Sequence, residues 1–114
     1  MPFINVNVGK PINYETKVKF QKEIAENISL IPGKNAGNTV ICITDCCVIF
    51  KNGEPFEGIF VDIRLYKSSP EEAKKAFAEK LFTIIEDVLK IPPERAQFNF
   101  IEMPVWVSNG NYMV

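Results

Sequence analysis

The tetrapeptide IPGK (residues 31–34) recurs later in the chain as IPPE (residues 91–94). Proline and glycine end helices, so each tetrapeptide marks the end of a helix. Each one also follows a segment with apolar residues at helical spacing and precedes a segment typical of a β-strand. We therefore expect the 114-residue chain to form one domain, residues 1–114, built from a strand-helix-strand unit written twice.

Two helices are predicted, one in the middle of each unit. The first runs from Tyr14 to Leu30 and repeats apolar residues among charged ones: Val18, Phe20, Ile24 and Ile28. The second begins with Ser69 as its cap and Pro70 at the first helical position, followed by two acidic residues. It continues to about Lys90 and carries its own apolar series: Ala73, Phe77, Leu81, Ile84, Ile85, Val88 and Leu89.

Four main strands are predicted around these helices: Phe3–Val8, Thr39–Thr44, Ile59–Leu65 and Gln97–Ile101. The first and third alternate apolar and polar residues, whereas the second is β-branched and apolar and is predicted to be buried. Asn52-Gly53 is a turn signal, and Asn109-Gly110 could turn a small hairpin between Val105–Val107 and Tyr112–Val114.

The expected architecture is α/β, with a four-stranded mixed sheet covered on one face by two antiparallel helices. Strand-helix-strand units are right-handed and their strands are parallel. The other face of the sheet would be mostly polar and solvated: Asn5, Asn7, Asp62, Arg64, Gln97 and Asn99, together with Phe3 and Phe60.

The composition argues against several function classes. The net charge is −1 with acidic and basic residues balanced, so no nucleic-acid partner is indicated. The chain has three cysteines and no histidine, which predicts neither a disulfide framework nor a metal site. No secretory signal or membrane-length apolar run is recognisable, so we expect a reduced, cytoplasmic protein without membrane contact. No phosphate loop or nucleophile elbow occurs, and no cofactor is implied.

Pro2 is the one residue that suggests chemistry directly. Removal of Met1 would leave the proline ring nitrogen as a secondary amine at the chain terminus. An ordinary α-amino group titrates near about 7.7–8.0, and burial or a nearby cation lowers that pKa further. A neutral amine near pH 7 can serve as a general base. From the Met-Pro dipeptide alone, however, Pro2 reads more simply as a small second residue of the kind that many proteins have.

Further stretches add weight to the catalytic interpretation of Pro2. They are the opening MPFINVNV, Gly33-Lys34, the spacing from Asp45 to Phe50, NGEP at residues 52–55, IPPER at 91–95, FNF at 98–100 and Glu102-Met103. In their order and spacing, and together with the doubled unit, they resemble the tautomerase superfamily and its macrophage migration inhibitory factor-like family. The resemblance covers nearly the whole chain.

The resemblance implies a homotrimeric keto–enol tautomerase acting on phenylpyruvate-like α-keto acids, without a metal or other cofactor. Three sheets would surround a central channel, and each active site would lie between subunits. Pro2 would be the base, and Lys34 would bind the substrate carboxylate. The remaining implied substrate contacts are a backbone N–H near Leu65 or Tyr66, the Asn99 amide and two apolar walls, Phe50 and Trp106.

Each of these residues also has a plain structural interpretation. Lys34 suits the C-terminal end of a helix, Asn99 suits an exposed strand face, and the two aromatic residues suit core packing. Two departures from the family pattern matter as well. Gln97 stands where the family has a pocket tyrosine, and Phe56-Glu57-Gly58 replaces its Cys-x-x-Cys, so thiol-oxidoreductase activity is not implied. The alternative function is a cytokine-like signalling or interaction protein on a tautomerase scaffold with a vestigial pocket.

Overall fold

The computed structural model describes residues 1–114 as ten principal elements. In chain order they are β1 (Phe3–Val8), α1 (Tyr14–Asn27), β2 (Val40–Thr44), β3 (Phe50–Lys51), β4 (Glu54–Pro55), β5 (Ile59–Tyr66), α2 (Glu71–Ile84), β6 (Ala96–Met103), β7 (Trp106–Ser108) and β8 (Asn111–Met113). Short 3₁₀ turns lie at Ile28–Leu30, Ala36–Asn38 and Pro93–Arg95, and a π-helical turn, Ile85–Leu89, extends α2. Neither helix is long and apolar enough to cross a membrane.

The main sheet has four strands in the order β2-β1-β5-β6. β1 is parallel to β2, β5 is parallel to β6, and the two central strands β1 and β5 are antiparallel. Each helix must return the chain to the start of a parallel neighbour, so α1 and α2 run in opposite directions. The predicted mixed sheet with two antiparallel helices is confirmed.

Both helices lie on the same face of the sheet and share one core of 18 buried residues. The strand side chains in this core alternate along β1 and β5: Ile4, Val6 and Val8, then Ile59, Val61, Ile63 and Leu65. The helices contribute Phe20, Ile24, Phe77, Leu81 and Ile84. Val18, predicted for the buried side of α1, is 41% exposed instead.

The repeated tetrapeptides end the helical segments as predicted, and each does so by burying its isoleucine. Ile31 is fully buried and Ile91 is 2% exposed, so both side chains pack into the hydrophobic core. After Ile31 the chain turns outward through Gly33, whose φ of +78° is favourable for glycine. This turn brings Lys34 to the end of the sheet where β1 begins, and its N–H donates to the Ile31 carbonyl.

Two local predictions were wrong. Ser69 does not cap α2: its backbone N–H donates to Glu102 Oε2 at 2.7 Å, and the helix begins at Glu71 after Pro70, whose ψ of 139° is not helical. The segment predicted to be a buried strand is β2, which lies at an edge of the sheet and exposes alternate residues. Val40 is 61% exposed there, because within this chain only β1 lies beside β2 and neither helix covers its outer side.

Candidate functional site

The chain terminus lies beside Lys34, at the edge of the sheet where β1 starts and β5 ends. Lys34 is half-buried, and its Nζ donates to the Tyr66 carbonyl at 2.9 Å. Burial lowers the pKa of the Met1 α-amino group below its ordinary value, and the charge and hydrogen bonding of Lys34 lower it further. The fold therefore brings an amine and a fixed cation together at this edge.

Pro2 is buried immediately inside this terminus. Its carbonyl accepts a hydrogen bond from Val40 N–H at 3.0 Å, which ties it to β2. Met1 Sδ accepts a hydrogen bond from Ser108 Oγ at 2.8 Å. While Met1 is attached, the Pro2 nitrogen is an amide. Removal of Met1 would move the terminal amine inward by one residue, about 3.8 Å along the chain.

Two strand-end residues named from the sequence, Leu65 and Tyr66, also lie at this edge. Because Phe3 is in register with Arg64, the next positions place Pro2 beside Leu65. The Leu65 side chain is fully buried in the core, so this residue can offer only backbone groups to a ligand. Tyr66 uses its carbonyl for Lys34, and its hydroxyl donates to the Val114 carbonyl at 2.8 Å, which anchors the chain end.

An open cavity of about 330 Å³ adjoins the terminus on the outer face of the sheet. Trp106, predicted as a pocket wall, lies in β7 and lines it. Phe3, the residue after Pro2, lines it as well, and Arg64 is its only charged lining residue. The other lining residues are apolar: Val40, Met103, Val105 and Val107.

Phe50 and Asn99 lie elsewhere in the same chain. Phe50, 63% exposed, lines a separate cavity of about 150 Å³ together with Phe60 and Gln97, near the far end of β1. Asn99 is in register with Asp62, which is in register with Asn5. At about 3.3 Å per residue and 4.8 Å per strand, Asn99 is roughly 10 Å along and 10 Å across the sheet from Pro2.

Asp62 has a contact with Asn99 that sequence reasoning missed. The Asn99 Nδ2 donates to Asp62 Oδ1 at 2.8 Å, which commits one of its N–H groups. The Asn99 Oδ1 is buried and has no hydrogen-bond partner within the chain. Alternation had placed both residues on one face, but only the register of β5 and β6 reveals that they are neighbours. No cluster of three or more His, Cys, Asp or Glu side chains forms a metal-ligand set.

Of the comparisons with known proteins, only the one with solved structures finds similar proteins. No protein-family model matches the chain, and no curated protein matches its sequence. Among solved structures, Leishmania major MIF2 superposes with a TM-score of 0.90 at 16% identity, covering 99% of this chain and 97% of that one. The macrophage migration inhibitory factor-like protein of Entamoeba histolytica gives 0.85 at 18% identity, covering 98% of both.

A second group of similar structures consists of 4-OT proteins. A fused 4-OT wild-type asymmetric trimer superposes with a TM-score of 0.87 at 17% identity, covering 96% of this chain and 94% of that one. At these identities the likeness concerns the arrangement of strands and helices. The chain has the fold of the tautomerase superfamily and of its macrophage migration inhibitory factor-like proteins.

Proposed function

We propose that this chain is a cofactor-independent keto–enol tautomerase that acts on phenylpyruvate-like α-keto acids. Pro2 would be its general base after removal of Met1. The observation that carries the proposal is the Met1 α-amino group beside Lys34, whose pKa is lowered by burial and by the lysine charge; Pro2 follows it directly in the chain. A lowered pKa keeps more of an amine neutral near pH 7, and only the neutral amine can accept a proton.

The reaction needs only proton transfers. The neutral Pro2 amine takes a proton from the carbon next to the substrate carbonyl, and the C–H electron pair becomes the enolate double bond. Lys34 and a backbone N–H of Leu65 or Tyr66 hold the carboxylate and stabilise the developing negative charge. The protonated Pro2 then returns its proton to the enolate oxygen, or in reverse to carbon. No electron acceptor or metal is required.

The cavity lined by Phe3, the residue after Pro2, would accept a substrate with an apolar body. Phe3 and Trp106 give it two aromatic walls, and four further apolar residues complete most of its surface. The aryl group of a substrate placed there would bury apolar area, while the keto acid end of the substrate would point toward the chain terminus. Phenylpyruvate is therefore the model substrate, and the fold shared with MIF2 and fused 4-OT supports a tautomerase-like scaffold.

We include a homotrimer in the proposal, with each active site between subunits. Phe50 and Asn99 are too far from Pro2 to act on the same substrate within one chain. A neighbouring subunit could supply them if its far sheet end met this chain's terminus. Exposed apolar side chains also favour association, among them Val107 and Tyr112, which pair across the β7–β8 hairpin. One similar solved structure is a trimer of fused 4-OT.

The location proposed for this enzyme is the cytoplasm. All three cysteines, Cys42, Cys46 and Cys47, are free thiols, which suits a reducing compartment.

The alternative, a signalling or interaction protein with a vestigial pocket, has two specific observations in its favour. Asn99 already donates to Asp62, and Gln97 stands in place of the phenol of the family pattern. The Asn99–Asp62 contact and the absence of the phenol both leave fewer free polar groups for a substrate. An interaction protein would lose partner binding through surface changes and would be indifferent to Pro2.

Substitution of Pro2 by glycine separates the two functions. Pro2→Gly keeps a terminal amine but loses the fixed direction of its lone pair, so kcat/KM for phenylpyruvate should fall about 100-fold or more. The matched control is Pro11→Gly, which changes an exposed proline in the loop after β1. Circular dichroism would check the fold of both variants. Full activity in Pro2→Gly would contradict the proposal.

A further inference from the structure

Two of the ten asparagines in this chain, Asn52 and Asn109, are followed directly by glycine. A backbone nitrogen reaches the side-chain amide of the preceding asparagine most easily when it belongs to glycine, because glycine has no Cβ in the way. The Asn109-Gly110 pair forms the tip of the β7–β8 hairpin and takes no part in the proposed reaction. This tip is therefore a candidate for a modification that the chain carries out on itself.

The Asn109-Gly110 turn leaves both reacting groups free. The two residues have positive φ angles of 50° and 76°, as in the type I′ turn that joins two strands through two residues. Asn109 is exposed and its side-chain amide makes no hydrogen bond, although its backbone carbonyl accepts one from Asn111 Nδ2 at 3.3 Å. The Gly110 N–H has no hydrogen-bond partner. Beyond its chain neighbours, no atom lies within 4 Å of the position that a Cβ would take at Gly110.

The hairpin that carries this turn is weakly held. β7 and β8 form a two-stranded sheet of their own, with three residue pairs between Trp106 and Met113. A two-stranded hairpin without further strands is marginally stable, so its exposed tip opens at little cost. Each opening frees the Asn109 side chain to rotate toward the Gly110 nitrogen.

The chemistry needs only water and a deprotonated backbone nitrogen. The Gly110 nitrogen attacks Asn109 Cγ, a C–N bond forms, the bond from Cγ to Nδ2 breaks, and ammonia leaves with the proton that Gly110 gave up. Water then opens the resulting five-membered succinimide ring at either carbonyl. One opening gives aspartate, and the other gives isoaspartate, in which the main chain continues through the side-chain carboxyl carbon. The net change is one amide and one water converted to one carboxylate and one ammonium ion.

The isoaspartate product would disturb the cavity on the outer face of the sheet. It adds one atom to the main chain inside a two-residue turn, and the turn sets the register of a hairpin. A changed register would separate Trp106 from Met113, its partner across the hairpin. Trp106 and Val107 both line the cavity, so the wall that β7 provides would move.

We propose that Asn109 is a site of spontaneous deamidation, and that isoaspartate at this position releases Trp106 from the cavity wall. The modification would then act as a chemical clock, which alters the molecule slowly after synthesis. The inference does not depend on the proposed reaction, because neither the ring closure nor the movement of Trp106 requires a substrate.

Ageing of the full-length chain tests the inference with two readouts. The protein is kept in mildly alkaline buffer until a synthetic peptide of residues 105–113 has converted completely. Peptide mapping by mass spectrometry should show Asn109 changed from amide to carboxyl, with isoaspartate identified by electron-transfer fragmentation. Trp106 is the only tryptophan, so its fluorescence reports this wall alone. Its emission should shift to the red in proportion to the isoaspartate fraction at residue 109.

Three variants separate the possible causes of such a shift. Asn109→Gly cannot deamidate and keeps a Gly-Gly pair suited to a type I′ turn, so its emission should stay constant. Asn52→Gly is the matched control at the other asparagine-glycine turn, and it should age as the wild type does. Freshly prepared Asn109→Asp carries the new charge without the extra main-chain atom, so its emission should match that of the unaged wild type.

Three results would overturn the inference. One is an Asn109 that stays intact in the folded chain while the peptide converts. Another is isoaspartate at residue 109 with unchanged Trp106 emission. The third is an equal red shift in aged Asn109→Gly, which would place its cause elsewhere in the chain. None of these results bears on whether Pro2 is a catalytic base.

Discussion

Replacing Lys34 by methionine removes the cation beside the chain terminus. Methionine keeps an unbranched side chain of similar length and removes the charge. In the proposed reaction the lost contact is a charge-assisted hydrogen bond to the substrate carboxylate, worth about 1.5–3 kcal/mol. At about 1.4 kcal/mol per factor of ten, kcat/KM for phenylpyruvate should fall about 10- to 150-fold.

The same substitution should also change the pH dependence. The Lys34 charge lowers the pKa of the Met1 α-amino group. If the Pro2 amine of the processed chain lies beside Lys34 in the same way, loss of the charge should raise its pKa. Burial still lowers it, so the rise should be partial. Because activity requires the neutral amine, the midpoint of kcat/KM against pH should move to higher pH. Well above that midpoint only the loss of carboxylate binding remains, which separates the two effects.

Stability provides a third readout of the Lys34 contact. The substitution leaves the Tyr66 carbonyl without its 2.9 Å donor in a part-buried position. Loss of one such hydrogen bond costs about 1 kcal/mol, a few degrees in Tm for a domain of this size. A much larger loss would indicate that Lys34 is mainly structural.

The assay follows the disappearance of the phenylpyruvate enol by ultraviolet absorbance, between about pH 5 and pH 9. Lys34→Arg keeps the charge and should retain most of the activity. Lys19→Met removes an exposed lysine from α1 that has no ion pair or hydrogen bond, and it should change nothing. Unchanged kcat/KM and an unmoved pH midpoint in Lys34→Met would refute the reasoning.

Two further predictions concern assembly and acid stability. Sedimentation should give a species of three times the 12.9-kDa chain mass, and a stable monomer at micromolar concentration would remove the intersubunit site. Asp45 accepts hydrogen bonds from Ile12 N–H and Lys17 Nζ, which lower its pKa from 3.8 to about 2. Because the folded-state pKa is the lower one, this stabilisation is complete above about pH 4 and is lost as the pH falls toward 2. The Tm gap between wild type and Asp45→Asn should close in that window, and a gap independent of pH would contradict the assignment.

Much of the fold could be predicted because it depends on repeated local patterns. The isoleucines of IPGK and IPPE follow the two helical segments and are buried in the core. The alternation of apolar and polar residues correctly assigned the two faces of β1 and β5. The prediction that Ser69 caps α2 was wrong because its backbone N–H binds the Glu102 carboxylate instead. Glu102 is 33 residues away in sequence, and only folding brings it near. The edge position of β2 could not be predicted, since apolar composition does not tell an edge strand from a central one.

The candidate site could be predicted only in part, for a similar reason. The resemblance supplied Pro2 and Lys34, and the fold brings the chain terminus and Lys34 together. Their catalytic roles stay predictions. The contact of Asn99 with Asp62 and the place of Arg64 in the cavity depend on the strand register and on the C-terminal hairpin. Neither leaves a signal in the spacing of residues along the chain.

The pH dependence of kcat/KM, measured on the processed chain and on a chain that retains Met1, tests the central claim most directly. Mass spectrometry of the intact chain would first establish whether Met1 is present in each sample. In the processed chain the rate should rise with pH through a single ionisation below about 7.7–8.0, the range of an ordinary α-amino group. The chain has no histidine that could produce such a titration. The form that retains Met1 should be inactive at every pH, because its Pro2 nitrogen is an amide. Equal turnover of phenylpyruvate by both forms would show that Pro2 is not the base.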